Sequence, residues 1–109
     1  MGVTRSDIYS EELNELADMA KVLGHPARIA ILQHVARQEG CVCGSIVKSI
    51  GLAQATISQH LKELKRVGLI KGKISGTAVC YCIDAPQIRK CMGMIQDYFS
   101  KDILSNCCK

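Results

Sequence analysis

The chain has 109 residues, enough for one domain with one hydrophobic core and too few for a catalytic domain joined to a regulatory one. No apolar run approaches the roughly 18 residues that a membrane-spanning helix needs. The first residues also lack a basic-then-apolar signal pattern, so we expect a cytoplasmic protein. The net charge is +4, and 48% of the residues are apolar but only 4% aromatic, which indicates aliphatic helix packing.

The first part of the chain carries two helical patterns. Residues 1–10 are predicted to form a loose arm, followed by a helix over 11–23 that Ser10 is suited to cap. A second helix is predicted from Pro26, a residue favoured in a first helical turn, to about residue 38. The apolar stripe of the first helix consists of Leu13, Leu16, Ala17, Ala20 and Leu23.

Two further helices follow an extended link at 41–43. The third is short and predicted over about 45–50, and the fourth over about 54–67, with Gly68 suited to the left-handed conformation that ends a helix. The opposite side of the fourth helix is small, polar and basic, which is what the DNA major groove accepts. Its narrow apolar face consists of Ile57, Leu61 and Leu64.

Two strands and a last helix complete the pattern. The strands are predicted at 69–74 and 78–83, and the helix at about 86–100. Two short helices followed by such a hairpin form a winged helix-turn-helix. We therefore predict a single, mainly α-helical domain over 1–109, with about five helices, a β-hairpin wing and a frayed tail at 101–109.

The first and last helices are amphipathic, although the DNA-binding motif does not need them. Pairing them between two copies would place two recognition helices about one DNA turn apart. We therefore expect a homodimer that forms through the terminal helices. The alternative is that both stripes complete the core of one chain. The stripe of the last helix consists of Ile88, Met92, Ile95 and Phe99.

Positive charge is concentrated on and just after the fourth helix. Residues 44–83 hold six basic side chains and one acidic side chain, a net charge of +5. This distribution is typical of a protein that binds the phosphate backbone of double-stranded DNA, although a solvated basic face is the simpler alternative. The candidate DNA contacts are Gln54, Thr56, Ser58, Gln59, His60, Lys62, Arg66, Lys71 and Lys73, with Lys65 as a further phosphate contact.

These side chains differ in what they can read. Glutamine can pair with adenine through two hydrogen bonds, and Ser or Thr can meet a base or a phosphate. Lysine and arginine supply affinity without sequence information. Thr56 and Ser58 have a local alternative, which is hydrogen bonding to the backbone. His60 borders the apolar stripe and is equally suited to be a packed core histidine.

Seven cysteines in a chain that is expected to stay reduced favour soft-metal binding over a disulfide scaffold. In an extended link, Cys41 and Cys43 lie on one face about 6.6 Å apart, so one ion can bridge them after modest closure. The alternative is that these two cysteines bind no ion and are simply small hydrophobic residues buried in the protein. Cys91 lies among apolar residues of the last helix and is expected in the core.

Cys80 and Cys82 repeat the Cys-x-Cys spacing in the second wing strand. If the link before the third helix pairs with this strand, the two Cys-x-Cys pairs converge; the alternative is two independent strand cysteines. Cys107 and Cys108, near the end, are either third ligands or ordinary tail thiols. The larger residues of the strand are expected to face the core: Val79, Tyr81 and Ile83.

Four segments, in this order, resemble the ArsR/SmtB group of bacterial metalloregulatory repressors. The resemblance covers about residues 12–99. It implies a homodimer that binds operator DNA and is released when a soft metal or metalloid binds. The segments lie at 21–32, 39–44, 54–62 with 68–70, and 76–81.

The chain departs from this family at three places. Gly44 stands where an acidic residue usually follows the second cysteine of the thiolate box, and Ile46 stands where the arsenic-sensing version has a third cysteine. A zinc site that the family builds on its last helix is not expected here, because Pro86 occupies its second ligand position.

The leading hypothesis is a sequence-specific transcriptional repressor, not an enzyme, that leaves its operator when a soft ion binds cysteine thiolates. An arsenite-like ion, As(III), is the first choice of inducer, and DNA binding itself requires no cofactor. The alternative is the same repressor switched by thiol oxidation or persulfide chemistry. A thiol oxidoreductase is a remote third class, since the chain lacks Cys-x-x-Cys. The expected ligands are Cys41, Cys43, Cys80 and Cys82, with Cys107 or Cys108 as alternative third ligands.

Overall fold

The computed structural model describes residues 8–41, 50–76, 78–100 and 104–105. Within these ranges the molecule is the predicted winged helix-turn-helix, mainly helical with one antiparallel hairpin. None of the described helices is long and apolar enough to cross a membrane. The complete elements are α1 (Glu11–Leu23), α2 (Pro26–Ala36), α3 (Gln54–Arg66), β1 (Ile70–Ser75), β2 (Ala78–Ile83) and α4 (Ala85–Tyr98).

Side-chain caps fix where three of the helices begin. Ser10, His25 and Asp84 each accept a hydrogen bond from a backbone N–H of the following first turn, at 3.2, 3.1 and 3.3 Å. Each bond satisfies a donor that the helix itself leaves unpaired. Because such caps are local, the boundaries of these elements lie within two residues of those predicted.

The core lies where α1, α2, α3 and the base of the wing meet. It includes the predicted apolar face of α3, and Cys91 from α4 as predicted. Burial of such aliphatic side chains is the main favourable contribution to folding. The buried cluster consists of Met19, Val22, Ile31, Val35, Ile57, Leu61, Leu64, Leu69, Ile70 and Cys91.

The predicted stripes of the terminal helices lie largely outside this core. In α1 the buried side chains are Met19 and Val22, whereas Leu13 is 40% exposed. Met92 in α4 is 59% exposed, and Phe99, which directly follows α4, is 61% exposed. The alternative in which both stripes complete the core of one chain therefore does not hold for these residues.

The wing is a two-stranded ladder whose turn contains Gly76 at φ 64. Tyr81 and Ile83 pack against the core as predicted. The prediction was wrong for Val79, which is 44% exposed because it lies towards the tip, opposite Ile74. The other face of this strand is also partly covered, since Cys80 is buried and Cys82 is partly buried.

Two glycines allow a matched stability test. Gly68 ends α3 at φ +81, and a Cβ there would lie 3.3 Å from the Cγ of Gln87. We expect Gly68→Ala to lower the free energy of unfolding by about 1–2 kcal/mol. Gly93 lies within α4 and a Cβ there meets nothing within 4 Å, so Gly93→Ala should raise stability by about 0.5–1 kcal/mol. Urea denaturation shifts of the same sign would contradict this assignment.

Part of the predicted organisation lies outside the described residues. Of the third helix, only Ile50 is described, and it is helical. The greater part of the predicted arm and tail also falls outside, although Leu104 and Ser105 are described as helical.

Candidate nucleic-acid interface and thiol pair

The outer face of α3 presents the polar side chains that were predicted to read DNA. Its apolar face is buried, so the helix is held with one side on the core and the other in solvent. No described side chain caps its first turn, and open N–H groups at a helix start can bind a phosphate oxygen. The exposed residues of this face are Gln54, Thr56, Ser58, Gln59 and Lys62.

Lysines extend this surface onto the wing. Lys71 and Lys73 alternate along β1 and are exposed. Gly72, between them, faces the opposite side, where a Cβ would lie 3.2 Å from the Nζ of Lys65. Ammonium groups therefore lie on both faces of β1, next to the end of α3. This is the arrangement expected for phosphate contacts on either side of a groove.

His60 is buried, which supports the packing alternative for this residue. Its side chain is 7% exposed, and its Nδ1 accepts a hydrogen bond from the Nε of Arg28 at 3.1 Å. Arg28 also donates to the carbonyl oxygen of Val22 at 3.2 Å. The His25 ring lies beside it, with ring centroids 4.5 Å apart. His60 thus fixes α3 to the start of α2.

The surroundings of His60 predict a pH dependence of folding. Burial, followed by the neighbouring charges of His25 and Arg28, lowers the pKa of His60 below its ordinary value of 6.5. Between the lowered pKa and 6.5 the unfolded chain binds more protons. The contribution of the neutral His60 side chain to the free energy of unfolding is therefore fully present above pH 6.5. This contribution is lost as the pH falls through this window.

The measurement is the urea midpoint of unfolding, followed from pH 7.5 down to the onset of carboxylate titration at roughly pH 5. We expect His60→Gln to flatten this part of the profile. A wild-type midpoint that rises on acidification would contradict the assignment.

Arg66 is engaged within the protein. Its Nη1 and Nη2 bind the carboxylate of Asp18 in α1 at 2.7 and 3.0 Å, and Nη2 also binds the Oε2 of Glu63 at 2.9 Å. These hydrogen bonds hold the pKa of both carboxyl groups below their usual values. A DNA phosphate would have to displace these carboxylates, so in this state Arg66 joins the end of α3 to α1.

Two cysteines of the link and the wing have free thiols in the described part of the chain. Cys41, just after α2, and Cys82, in β2, are both free and partly buried. The Cys41 thiol, followed by partial burial, raises the pKa of Cys82, against the opposing charges of Lys71 and Lys73. The predicted convergence of the two Cys-x-Cys pairs stays a prediction, since Cys43 lies outside the described residues.

The remaining cysteines have different environments. Cys80 is disulfide-bonded, and its side chain is 3% exposed. Cys91 is free, and burial raises the pKa of its thiol. The predicted ligands Cys43, Cys107 and Cys108 lie outside the described residues. Within the described ranges, no group of three or more His, Cys, Asp or Glu side chains is arranged to hold a metal ion.

Two of the residues that organise this site were not identified from the sequence. Asp18 and Arg28 lie in helices that looked purely structural, and their partners are 48 and 32 residues away. No local pattern signals pairs so distant in sequence.

An apolar surface also runs along the outer side of α1 and α4. It includes the exposed residues Leu13, Met92, Ile95 and Phe99. A groove of about 470 Å³ lies between the two helices, and an ion pair between Lys90 Nζ and Glu15 Oε1 joins them at 2.8 Å. Exposed apolar patches of this kind mark interaction sites.

Comparison with known proteins places this architecture among bacterial and archaeal regulators. A family described as "Helix-turn-helix domain" matches residues 23–73. The uncharacterized HTH-type transcriptional regulator Rv0081 of Mycobacterium tuberculosis is 32% identical over 93 residues, 84% of this chain and 82% of that protein. Its crystal structure matches with a TM-score of 0.64 and 33% identity, covering 89% of this chain and 97% of that one.

Two further relatives carry informative descriptions. The HTH-type transcriptional repressor SmtB of Mycobacterium tuberculosis is 35% identical over 71 residues, 65% of this chain and 52% of that protein. The homodimeric winged helix-turn-helix DNA-binding domain Mb0332 of Mycobacterium bovis, a possible ArsR-family regulator, matches with a TM-score of 0.67 and 27% identity over 89% of each chain. From its fold, its exposed recognition helix and these relatives, the chain belongs to the ArsR/SmtB family of DNA-binding transcriptional regulators, which are not enzymes.

Proposed function

We propose that this chain is a homodimeric repressor that leaves its operator when a soft ion or metalloid occupies cysteine thiolates. The observation that carries the proposal is that Cys41 and Cys82 are both free and partly buried, with Cys41 raising the pKa of Cys82. These thiols come from two separate segments, the residues after α2 and the base of the DNA-binding wing. A protein with this function acts in the cytoplasm, next to the operator DNA.

In the proposal, α3 contacts bases and backbone in the major groove, and the wing contacts the DNA backbone. Gln54 and Gln59 on the exposed face of α3 are suited to read adenine, and Thr56 and Ser58 are suited to contact bases or phosphates. The lysines at the end of α3 and in β1 supply salt-dependent affinity for the backbone.

The dimer would form through the outer faces of α1 and α4. The apolar side chains exposed there need a partner surface, and a twofold arrangement would bring the same patch of each copy together. The relative Mb0332 is itself described as homodimeric. Two recognition helices would then face a near-palindromic operator in successive major grooves.

The inducer proposed first is As(III), with Cd(II) as a second thiophilic candidate. Thiolates prefer such ions, so the donor set at Cys41 and Cys82 fits them. Reduced Cys80 and Cys43 would complete the set, with Cys107 or Cys108 as alternative third ligands. The proposed protein needs no cofactor to bind DNA.

The test is fluorescence anisotropy with a labelled duplex from upstream of the protein's own gene. Reduced, chelator-treated protein is titrated with DNA in the presence of As(III), Cd(II) or Zn(II). We expect As(III) to lower the affinity of the wild type, and Cys41→Ser/Cys43→Ser to abolish the response without changing the affinity in its absence. The matched control is Cys91→Ala, a buried cysteine outside the thiol pair, which should still respond. An operator affinity that no thiophilic ion changes would exclude metal control.

Thiol oxidation is the second candidate, and the disulfide at Cys80 favours it. In this reaction two thiols and one peroxide give one disulfide and two waters, so the sulfurs are oxidised and the peroxide is reduced. We expect peroxide to release metal-free protein from DNA and a dithiol reductant to restore binding. If peroxide does not change the operator affinity of chelator-treated protein but As(III) lowers it, the proposal of metal control alone stands.

A further inference from the structure

We propose that Arg66, Asp18 and Gln87 are positioning residues for DNA recognition. They hold the end of α3 on α1 and α4, the two helices that carry the proposed dimer surface, and so set the distance between the recognition helices of a dimer. The inference rests on the proposed function, because it requires that a dimer of this chain bind operator DNA. It reassigns Arg66, for which the sequence indicated a phosphate contact, to a contact within the protein.

Carboxylates engage all three nitrogens of the Arg66 guanidinium group. Nη1 and Nη2 donate to the two carboxylate oxygens of Asp18 in α1, at 2.7 and 3.0 Å. Nε and Nη2 donate to the Oε2 of Glu63, at 3.2 and 2.9 Å. Two parallel bonds to one carboxylate fix a direction as well as a distance, which the point charge of a lysine cannot do. This geometry therefore suits a joint between two helices.

A second contact holds the same end of α3 from α4. The Nε2 of Gln87, in the first turn of α4, donates a hydrogen bond to the carbonyl oxygen of Val67 at 3.1 Å. Gln87 also lies beside Gly68, where a Cβ would be 3.3 Å from its Cγ. Val67 and Gly68 directly follow Arg66 at the end of α3. Both helices of the proposed dimer surface therefore contact the same three-residue segment.

These contacts lie at the opposite end of α3 from the residues that are suited to read bases. Gln54 begins the helix and Arg66 ends it, so about 18 Å of helix axis separates them at 1.5 Å per residue. A tilt of about 5° at Arg66 would move the first turn by roughly 1.6 Å, more than the tolerance of about 0.5 Å in a binding site. Recognition helices contact base edges mainly through their first residues. Holding the far end of α3 therefore fixes where Gln54 lies on the DNA.

The exposure of the ion pair separates this role from a role in folding. The side chains of Arg66 and Asp18 are 47% and 43% exposed. Exposed ion pairs contribute little to the free energy of unfolding. The apolar face of α3 is buried in the core, so the helix stays folded against the protein without the pair. We therefore expect variants of this pair to keep the urea midpoint of the wild type while changing DNA binding.

Asp18→Asn distinguishes positioning from direct DNA contact by the sign of its effect. If Arg66 positions α3, removal of its partner loosens the helix and lowers the operator affinity by roughly 5- to 20-fold. If Arg66 instead binds phosphate, the same change frees the guanidinium group and raises the affinity. In the positioning role Asp18→Asn/Arg66→Gln should lose no more affinity than Arg66→Gln alone, because both changes remove the same joint.

The half-site spacing of the operator is a readout that a simple loss of stability does not change. Anisotropy is measured with the labelled duplex from upstream of the protein's own gene, and with duplexes that carry one base pair more or one fewer between the half-sites. One base pair shifts the half-sites by about 3.4 Å. We expect the wild type to prefer the native spacing by about 10-fold, and Asp18→Asn, Arg66→Gln and Gln87→Leu each to reduce this preference to about twofold.

Lys62→Gln is the matched control, since Lys62 is an exposed residue of α3 one turn before Arg66. Loss of one phosphate contact per protomer should reduce the slope of log K against log salt concentration by about 1.8 in a dimer. This variant should keep the preference for the native spacing. The variants of the positioning residues should keep the slope and lose the preference.

Two results would overturn the inference while the proposed function stands. The first is an Asp18→Asn protein that binds the operator as tightly as the wild type or more tightly. The second is a set of variants at Asp18, Arg66 and Gln87 that keep the spacing preference of the wild type. A wild-type protein that binds no operator duplex as a dimer would overturn the inference and the proposed function together.

Discussion

Replacing Leu64 by alanine is expected to lower the free energy of unfolding by about 2–5 kcal/mol. Leu64 has no exposed surface and belongs to the buried face of α3, within the core. The substitution removes three side-chain carbons and leaves a cavity that the surrounding helices can close only in part. The measurement is urea denaturation at one fixed protein concentration, because dimerisation makes apparent stability depend on concentration.

Leu52→Ala is the matched control for this experiment. Leu52 lies just before α3 and is 37% exposed, and it does not belong to the core cluster. A partly exposed leucine loses less burial and leaves no cavity, so we expect a change of about 1 kcal/mol or less. Similar losses from the two variants would show that the core is not organised around the buried face of α3.

Placing one carboxylate on α4 and a second directly after it, by Met92→Glu and Phe99→Glu, is expected to convert the proposed dimer into a monomer. Both side chains are more than half exposed in one chain, so each protomer should keep its fold. In a dimer the four charges would be desolvated against one another, which is strongly unfavourable. Operator affinity should fall by about 10²- to 10⁴-fold, because the two recognition helices would no longer bind as one unit.

Sedimentation of the free protein and anisotropy with operator DNA measure the two effects separately. Ile74→Glu is the control for assembly, since Ile74 is 78% exposed near the tip of the wing and belongs to neither terminal helix. It should leave the protein dimeric. If the double variant remains dimeric, the outer faces of α1 and α4 are excluded as the dimer surface.

Local patterns were sufficient to place α3. Its three apolar residues recur at helical spacing and are all buried, and Gly68 ends it in the left-handed conformation as predicted. Spacing and chain termination are properties of neighbouring residues, so they can be read without the fold. The polar face follows from the same periodicity, which is why the exposure of Gln54 and Gln59 could be anticipated.

Contacts between distant segments could not be predicted in the same way. His60 was equally suited to DNA contact or to packing, and only the position of Arg28 decides for packing. Arg66 was assigned to phosphate, and only the approach of α1 shows that Asp18 occupies its guanidinium group. In both cases a helix from elsewhere in the chain supplies the partner.

The sequence by itself determined the order of the elements, the recognition helix, the basic segment and the family. These depend on periodicity, caps and residue types that act over a few positions. Only the tertiary structure decided which apolar stripes remain outside the core and that Cys41 and Cys82 are both partly buried. The reason is that burial depends on how helices and strands are brought together, and one chain can place the same stripe inward or outward without changing its period.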